Sequence, residues 1–237
     1  MKLEDKRFVV TGASSGLGRA LVGQLARLHG TKVVAVTRHV NLAKPENADK
    51  ILDFAIARMG GVDCVIACAG FGYYESFGGG DGGFGHIQRI FETNVLSPFY
   101  MLDRFLAKTH GKVSFVVISS MLGKMGLAGM SLYSATKHAL AGFADAYQPE
   151  KPKRLYYATV YPISLKTNFW RKLPADIPIP QPMQTADAAA RVVLRGLRKG
   201  RPNIYTAPFS RLAAACPLPY QIMGALKFRK WLRQSFA

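Results

Sequence analysis

The stretch Phe8-Val9-Val10-Thr11-Gly12-Ala13-Ser14-Ser15-Gly16-Leu17-Gly18 determines how this chain folds. A short β-favouring run leads into a glycine-rich turn, and residues 19–29 then carry leucines at helical spacing. Gly12 permits the sharp turn, Gly16 lets the backbone approach a phosphate, and Gly18 lets the helix pack closely on the strand. The free N–H groups at the start of that helix add a positive dipole end, so the stretch predicts a pyrophosphate-binding turn.

Strands and helices continue to alternate through the rest of the chain. Short apolar runs predict further strands at 32–36, 63–67, 114–118 and 157–160. Helical patterns cover 46–59, 87–107, 131–147 and 185–199, and Pro149 is expected to end the third of these helices near Tyr147. The alternation predicts one α/β domain across residues 1–237, a Rossmann-like doubly wound parallel sheet with helices on both faces.

The composition is typical of a globular protein, since 49% of the 237 residues are hydrophobic and 19% are charged. The charged N-terminus is unlike a signal peptide, and no run is long and apolar enough for a membrane span. Cys64, Cys68 and Cys216 lack metal-ligand spacing and are expected to be reduced, buried thiols. We therefore expect a cytoplasmic protein without a metal site.

The formal net charge is +18, and the basic residues are concentrated towards the C-terminus. No acidic residue follows Asp187, although ten lysines and arginines do. Such a surface favours anionic partners such as phosphate-bearing ligands, acidic membranes or nucleic acid, but a basic surface without a partner explains the charge equally well. Residues 201–237 are treated as a basic C-terminal extension, packed on the domain or on a partner.

The second strand ends near Arg38, at the turn where nucleotide-binding sheets discriminate between cofactors. A carboxylate at this turn would bind a ribose 2′-hydroxyl and repel a 2′-phosphate. No Asp or Glu occurs between Asp5 and Glu46, whereas the planar guanidinium of Arg38 suits a phosphate. Together with the hydroxyl groups of Ser14 and Ser15, this turn predicts binding of NADP(H) in preference to NAD(H).

A group of residues suited to acid–base chemistry follows the strand predicted at 114–118. Tyr133 and Lys137 are four residues apart in a helical stretch and therefore lie on one face. A phenol has too high a pKa for a good base near neutrality, and a neighbouring ammonium favours the phenolate and lowers that pKa. Ser120 follows the strand at 114–118, at the edge where open α/β sheets bind ligands, and its hydroxyl can donate to a carbonyl oxygen. The three residues form a physically sensible acid–base unit.

These motifs resemble those of the short-chain dehydrogenase/reductase family, in its classical type. The chain carries the family's Thr-Gly-x-x-x-Gly-x-Gly turn at Thr11–Gly18, and its serine followed by Tyr-x-x-x-Lys at Ser120, Tyr133 and Lys137. The resemblance, which covers about residues 6–200, implies an NAD(P)-dependent oxidoreductase with carbonyl reductase or alcohol dehydrogenase chemistry. It implies that Ser120 orients the carbonyl, Tyr133 transfers the proton, and Lys137 holds the nicotinamide ribose.

Further matches to the family extend the predicted site. Asn94 occupies the place of the helix asparagine that holds a water in the family's proton relay. The resulting cofactor site is predicted to include Gly12, Ser14, Ser15, Gly16, Leu17, Gly18, Arg38, Asn41, Ala69, Gly70, Tyr133, Lys137, Pro162, Leu165 and Thr167. The chain departs from the family pattern after the strand at 63–67, where only Ala69 and Gly70 remain of Asn-Asn-Ala-Gly and Cys68 replaces an asparagine that stabilises the sheet. Ile163 also replaces a glycine of the family.

The segment after Arg38 is shorter than the family pattern requires. The family usually fits a helix, a strand and a second helix here, whereas residues 39–62 leave room for little beyond the helix at 46–59. The stretch His39–Leu42 resembles a remnant of the third strand, with Asn41 at an adenine-binding position, but no crossover of ~10 residues precedes it. We therefore expect a six-stranded sheet in which one helix is lost and the edge strand is lost or displaced.

Large apolar side chains are expected at the rim of the substrate pocket. They are Phe71, Tyr73, Tyr74, Met121, Leu122, Met125, Met130, Phe169 and Trp170. Such a rim suits a hydrophobic ketone or secondary alcohol, for example a lipid, a steroid or a polyketide-like compound. Core packing is the alternative role for some of these residues.

The C-terminal stretch 219–236 mixes apolar and cationic side chains. It could lie on an acidic membrane surface, or it could pack on the domain or on a second subunit. The family resemblance implies a homodimer or homotetramer built through the helices at 87–107 and 131–147. The chain lacks a recognisable nucleic-acid module, so no nucleic-acid partner is expected.

The alternative function is that of a non-catalytic NADP(H)-binding protein, acting as a redox sensor or scaffold, because folds persist when activity is lost. The departures at Cys68 and Ile163 and the shortened adenine side favour this alternative. The complete set of acid–base residues favours the enzyme, since a protein that only binds the nucleotide has no need of it.

Overall fold

Six parallel strands form the central sheet of the part of the chain that the structure describes. The structure is a computed structural model that describes residues 1–78, 83–170 and 177–235. The strands are β1 (Arg7–Thr11), β2 (Lys32–Val36), β3 (Cys64–Ala67), β4 (Val113–Ile118), β5 (Leu155–Tyr161) and, after a separate short pair formed by β6 (Leu165–Lys166) and β7 (Gln184–Thr185), β8 (Asn203–Tyr205). Their order is β2-β1-β3-β4-β5-β8, which confirms the predicted six-stranded, doubly wound sheet.

Helices cover both faces of this sheet. They are α1 (Gly16–Leu25), α2 (Glu46–Met59), α3 (Gly83–Phe91), α4 (Ser97–Lys108), α5 (Ser131–Glu150), α6 (Ala186–Arg198), α7 (Ser210–Ala215) and α8 (Leu218–Ser235). A π-helical turn at Glu92–Leu96 joins α3 to α4, and a 3₁₀ turn at Met121–Gly123 follows β4. The structure therefore contains one irregular helical segment within the helix predicted at 87–107.

The strands supply two separate hydrophobic cores because successive side chains point to opposite faces. Phe8 and Val10 of β1 pack with residues of α1 and α6, whereas Val9 between them packs with residues of α2, α4 and α5. All six residues of β4 are buried. This burial on both faces explains why the strands read as continuous apolar runs in the sequence.

The segment after β2 has lost the usual third strand. β2 is hydrogen-bonded to β1 alone and ends the sheet, and α2 leads directly from this edge to β3. Residues 39–42 lie in turns, so the expected strand remnant does not form, although Val40 and Leu42 pack against the core beside α2. The expected loss of one helix and of the edge strand is confirmed, and the strand is absent rather than displaced.

Pro149 does not end α5, contrary to the sequence prediction. The helix continues to Glu150, and the N–H of Lys151 donates to the carbonyl of Tyr147 at 2.9 Å. The side chain of Gln148 also donates to the carbonyl of Tyr157 at 3.0 Å, which holds the last turn against β5. A proline this close to the helix end loses little, because few helical hydrogen bonds remain to be broken.

The C-terminal region is partly integrated into the domain. Residues 203–205 form the outermost strand, so the sheet extends into the segment that was treated as an extension. The C-terminal stretch 219–236 falls within α8 except for Phe236, which lies outside the described residues. None of the helices in the described ranges has both the length and the apolar character needed to cross a bilayer.

The three cysteines are free thiols, and they differ in exposure. Cys64 is buried in β3 and Cys68 is half-buried, but Cys216 is exposed, so the expectation that all three are buried was wrong for this residue. Cys216 lies between α7 and α8 at the surface, where the sequence pattern around it gave no sign of its exposure.

Candidate active site

The glycine turn between β1 and α1 requires glycine at three positions, 12, 16 and 18. Gly12 has a φ of +67° and Gly16 a φ of +53°, both in the left-handed region that favours glycine. A Cβ atom on Gly12 would lie 2.8 Å from the Cα of Ala69, and a Cβ on Gly18 would overlap the carbonyl oxygen of Gly12. The three glycines therefore allow the turn, the adjacent strand and α1 to approach one another closely.

The N-terminus of α1 is open to an anionic ligand. Ser15 precedes the helix in an extended conformation, and its side chain makes no capping hydrogen bond to the helix. Ser14 and Ser15 are exposed, whereas Leu17 is buried against the core. The first-turn N–H groups and two serine hydroxyls thus face the space above the turn, which is the donor set that a diphosphate requires.

A cavity of about 740 Å³ adjoins this turn on the side of α6. Its lining includes Ser15, Gly16 and Thr167, and four basic residues extend it, namely Arg19, Arg27, Lys166 and Arg191. A Cβ on Gly16 would lie 3.3 Å from the Cγ2 atom of Thr167, so the turn and the Thr167 segment meet here. The cavity runs between α1 and the start of α6 and meets the glycine turn at Ser15 and Gly16, and Asp187 adds one acidic side chain to its lining.

The adenine side of the predicted site is open. Arg38 lies exposed just after β2, which forms the edge of the sheet in the described part of the chain. Asn41 uses its side-chain oxygen to accept from the N–H of Ala43 at 3.0 Å, and its carbonyl accepts from the side chain of Asn47 at 2.7 Å. The structure therefore gives Asn41 a local turn-forming role and leaves the Arg38 guanidinium accessible.

Thr11 connects the glycine turn to the loop after β3, a role that the sequence analysis missed. Its hydroxyl oxygen accepts hydrogen bonds from the N–H groups of Cys68 at 3.0 Å and Ala69 at 3.1 Å. Thr11 is 3% exposed, so these bonds are shielded from water. The hydroxyl fixes the loop in which the family asparagine is replaced by Cys68. The sequence indicates this role, because a hydroxyl at the end of a buried strand needs a hydrogen-bond partner within the protein.

Ser120 and Tyr133 meet at the C-terminal edge of the sheet. Ser120 follows β4 and caps the short 3₁₀ turn, where its Oγ accepts from the N–H of Leu122 at 3.1 Å. Tyr133 lies in the first turn of α5, and its phenol is close enough to Ser120 for the serine hydroxyl to favour the phenolate. Since Oγ already accepts from Leu122, the serine hydroxyl proton is available for the phenol oxygen or for a ligand in its place.

The pKa of Tyr133 is raised to about 12, chiefly because burial disfavours the charged phenolate. The nearby Ser120 hydroxyl acts in the opposite direction and lowers the pKa, but burial dominates. A neighbouring ammonium was expected to lower this pKa, and the raised value shows that this expectation was wrong for the chain by itself. Tyr133 is therefore a neutral phenol at physiological pH, a proton donor.

Lys137 is buried one helical turn beyond Tyr133. Its side chain is 3% exposed, and Nζ donates to the carbonyl of Ile118 at 2.9 Å and lies 5.5 Å from the centroid of the Tyr133 ring. Burial lowers the pKa of Lys137 to about 8. Ser119 fixes the backbone of the same residue, because its hydroxyl donates to the carbonyl of Lys137 at 3.0 Å. The lysine is thus positioned from both its side chain and its backbone.

Asn94 lies in the π-helical turn between α3 and α4 and is 1% exposed. Its side-chain amide donates to the carbonyl of Phe71 at 2.8 Å and to the hydroxyl of Thr136 at 3.1 Å, and its side-chain oxygen accepts from the N–H of Phe71. These hydrogen bonds tie the loop after β3 to α5, beside Tyr133 and Lys137. In the backbone of the same turn, Pro98 has no N–H and cannot donate the α-helical hydrogen bond to the carbonyl of Asn94.

The segment after β5 closes the far side of the site. The carbonyl of Pro162 accepts from the N–H of Met121 at 2.9 Å, which joins this segment to the 3₁₀ turn. The carbonyl of Leu165 accepts from the indole of Trp170 at 3.0 Å, and the hydroxyl of Thr167 accepts from the N–H of Phe169 at 3.3 Å. These bonds hold the segment in which Thr167 lies beside Gly16 of the glycine turn.

Apolar side chains surround Tyr133, but several predicted rim residues belong to the core. Tyr74, Met121, Met125 and Met130 are buried, so packing accounts for them. The cluster around Tyr133 contains Tyr74, Met130, Ile177, Leu122, Leu127, Phe169, Trp170, Ile179, Phe228 and Trp231. The Tyr133 and Phe169 rings lie 5.5 Å apart. No pocket role was predicted for Phe228 and Trp231. They lie nearly 100 residues after Tyr133 in the sequence and reach the cluster only through the packing of α8.

Comparisons with known proteins agree with this geometry. The family model described as short chain dehydrogenase matches residues 29–178, which include Asn94, Ser120, Tyr133 and Lys137. A hydroxysteroid 11-beta-dehydrogenase 1-like protein of Danio rerio is 32% identical over 173 residues, which are 62% of this chain and 59% of that protein. The 3-dehydrosphinganine reductase of Danio rerio is 28% identical over 194 residues, which are 68% of this chain and 57% of that protein. The matches thus span less than two thirds of the length of these relatives.

Among solved structures, a short chain dehydrogenase from Burkholderia cenocepacia J2315, in complex with NADP, has the same fold. The TM-score is 0.78 at 22% sequence identity, and the likeness covers 96% of this chain and 99% of that one. The family match covers more than half of the sequence and contains the acid–base residues. The chain therefore belongs to the short-chain dehydrogenase family of oxidoreductases.

Proposed function

We propose that this protein reduces a hydrophobic ketone to a secondary alcohol with NADPH, with Tyr133 as the proton donor. The observation that carries the proposal is the placement of Tyr133, a buried phenol beside Ser120 and Lys137 that is enclosed by an apolar cluster. A neutral phenol is the form that donates a proton, which is the role that reduction of a carbonyl requires.

The glycine turn and the open N-terminus of α1 fit a dinucleotide. The cradle at Gly12 and Gly18 admits no side chain, and the basic residues beside Ser15 complement a diphosphate. We assign the preference for NADP(H) to Arg38, because its exposed guanidinium follows β2 and no carboxylate precedes Glu46 in this part of the chain. Lys137 would hold the nicotinamide ribose, and Thr167 would meet the carboxamide.

A bound reduced nicotinamide would supply a hydride to the carbonyl carbon of the substrate. Ser120 donates a hydrogen bond to the carbonyl oxygen and orients it. Tyr133 transfers its phenolic proton to the same oxygen, so the C=O double bond becomes a C–OH group. Lys137, close to the phenol, stabilises the phenolate that remains, and the phenolate regains a proton from solvent through the polar groups around Asn94.

The apolar cluster supports a lipid-like or steroid-like substrate. Phe169, Trp170 and Trp231 provide large faces next to Tyr133, and such surfaces bind apolar ligands by excluding water. The relatives named for hydroxysteroids and for 3-dehydrosphinganine, by their names, also support a large apolar substrate. We propose a ketone flanked by a long or polycyclic hydrocarbon.

The proposal is tested by titrating the purified protein with NADPH and NADH and then adding a panel of ketones of increasing hydrocarbon length. Loss of NADPH absorbance that grows with ketone length is the expected result. Tight NADPH binding without turnover of any ketone would instead support the non-catalytic sensor, and failure to bind either nucleotide would overturn the proposal.

A further inference from the structure

The outward surface of α8 carries apolar side chains that the fold leaves in solvent. Leu218, Ile222 and Leu226 follow one another at intervals of four residues, so they share one side of the helix, and they are 62%, 53% and 62% exposed. Met223 is also exposed, and the preceding α7 adds the exposed Leu212. Large aliphatic side chains at this density on one side of a helix mark an interaction surface.

The opposite side of α8 already has its packing partner. Phe228 and Trp231 lie in the apolar cluster with Tyr74, at ring separations of 5.8 and 5.1 Å. Gly224 faces Leu127 so closely that a Cβ there would clash with the leucine side chain. The exposed leucines are therefore not needed to hold the helix on the domain.

The same outward side becomes cationic along its C-terminal half. Arg229, Lys230 and Arg233 are exposed, and they continue the stripe begun by Ile222 and Leu226. No acidic residue occurs anywhere in the sequence after Asp187. The helix thus presents an apolar half and a basic half to solvent, with no negative charge of its own segment to offset them.

We propose that the outward surface of α7 and α8 docks on an anionic phospholipid bilayer. The apolar half would enter the interface between headgroups and acyl chains, and the basic half would contact the headgroups. A second copy of the chain suits this surface less well, because covering the apolar half with a copy would also place basic side chains in the interface, and this segment has no acidic residue to pair with them. Vesicle binding needs no turnover, so this inference stands independently of the proposed reaction.

The test is flotation of the full chain with vesicles of phosphatidylcholine alone and with vesicles containing 30% phosphatidylserine, at low and high salt. Two variants probe the two halves, Arg229→Gln/Lys230→Gln/Arg233→Gln for the charge and Ile222→Gln/Leu226→Gln for the apolar stripe. The matched control is Lys153→Gln/Arg195→Gln/Lys199→Gln, which removes the same charge from exposed positions elsewhere. All substituted side chains are exposed, and circular dichroism checks that each variant is folded.

We expect binding to the phosphatidylserine vesicles that high salt weakens. The triple substitution in α8 should lower the partition coefficient by about a hundredfold, since each cation near an anionic surface contributes about fivefold. The apolar variant should also bind weakly, and the control should lose much less affinity than either. The proposal would be overturned if the wild type did not bind vesicles, or if the control and the α8 triple variant lost equal affinity.

If vesicle binding is absent, two further observations identify the actual partner. A dimer that Ile222→Gln/Leu226→Gln separates would assign the surface to a second copy, and binding to nucleic acid that the apolar variant leaves intact would assign the basic half to nucleic acid.

Discussion

The Nζ atom of Lys137 lies over the ring of Tyr133, 5.5 Å from its centroid, while it donates a hydrogen bond to the carbonyl of Ile118 at the end of β4. The lysine is thereby fixed by the central sheet, and the tyrosine is fixed by the same helix one turn earlier. Both side chains are deprived of water, which raises the pKa of the phenol and lowers the pKa of the ammonium. Burial therefore shifts the pKa values of both side chains before any ligand binds.

The depressed pKa of Lys137 predicts a specific dependence of stability on pH. Below about pH 8 the lysine is protonated in both the folded and the unfolded chain, and it contributes no pH dependence. Between pH 8 and 10.5 the unfolded chain keeps a proton that the folded chain has lost, so this residue makes the folded state more stable as the pH rises. The gain reaches about 3 kcal/mol at most.

Urea unfolding of the wild type and Lys137→Met at pH 7, 9 and 10.5 measures this effect. The free energy of unfolding of the wild type should increase relative to that of the variant across this range. Lys153→Met provides the comparison for an exposed lysine. A difference between wild type and Lys137→Met that is constant with pH would show that burial does not depress this pKa.

Two substitutions of Thr11 should distinguish the contribution of its hydroxyl from that of its methyl group. Thr11→Val keeps the shape but leaves the N–H groups of Cys68 and Ala69 without their acceptor, so we expect a loss of about 2 kcal/mol in stability and weaker cofactor binding. Thr11→Ser keeps the acceptor and should lose less than half as much. Thermal unfolding and cofactor titration are the measurements, and equal losses in the two variants would show that packing of the methyl group matters more.

Arg38→Asp should reverse the choice of nicotinamide cofactor. The substitution removes a guanidinium that would pair with a 2′-phosphate and introduces a carboxylate that would repel it. We expect the ratio of kcat/KM with NADPH to that with NADH to fall at least about tenfold, since a charge-assisted hydrogen bond contributes about 1.5–3 kcal/mol. Arg58→Asp, an equal change of charge at an exposed position of α2, should leave the ratio unchanged. An unchanged ratio in Arg38→Asp would remove the basis for the NADP(H) preference.

Truncation of Trp231 should lower kcat/KM more for long substrates than for short ones. Its ring contacts Tyr74 and Phe228 in the cluster beside Tyr133, so Trp231→Ala opens space at the apolar wall. We expect kcat/KM for a long-chain ketone to fall at least about tenfold more than for a small ketone, because only the long chain reaches the lost surface. Leu226→Ala on the outward side of α8 is the control. Equal losses for both ketones would place Trp231 away from the substrate.

Much of this architecture could be predicted from the sequence because local chemistry dictates it. The glycine turn, the buried strands and the helix at 46–59 are determined by residue size and apolar spacing within short windows. The missing edge strand was also predictable, since residues 39–62 provide no room for a crossover.

What could not be predicted depends on contacts between distant segments. Phe228 and Trp231 reach the site only because α8 folds back across it. The raised pKa of Tyr133 depends on burial, which the Tyr-x-x-x-Lys spacing does not reveal. The helix continues past Pro149 because the side chain of Gln148 is anchored on the neighbouring strand. Each of these is a tertiary contact that local sequence patterns do not encode.

The most direct test of the proposed reaction compares the wild type with Tyr133→Phe, using NADPH and a long-chain ketone that the wild type reduces. The substitution removes one hydroxyl and keeps the ring that packs on Phe169. We expect kcat to fall by about 100- to 10,000-fold, the usual contribution of a general acid, while NADPH affinity stays within about threefold. Turnover by Tyr133→Phe at a rate close to that of the wild type would contradict the assignment of Tyr133 as the proton donor.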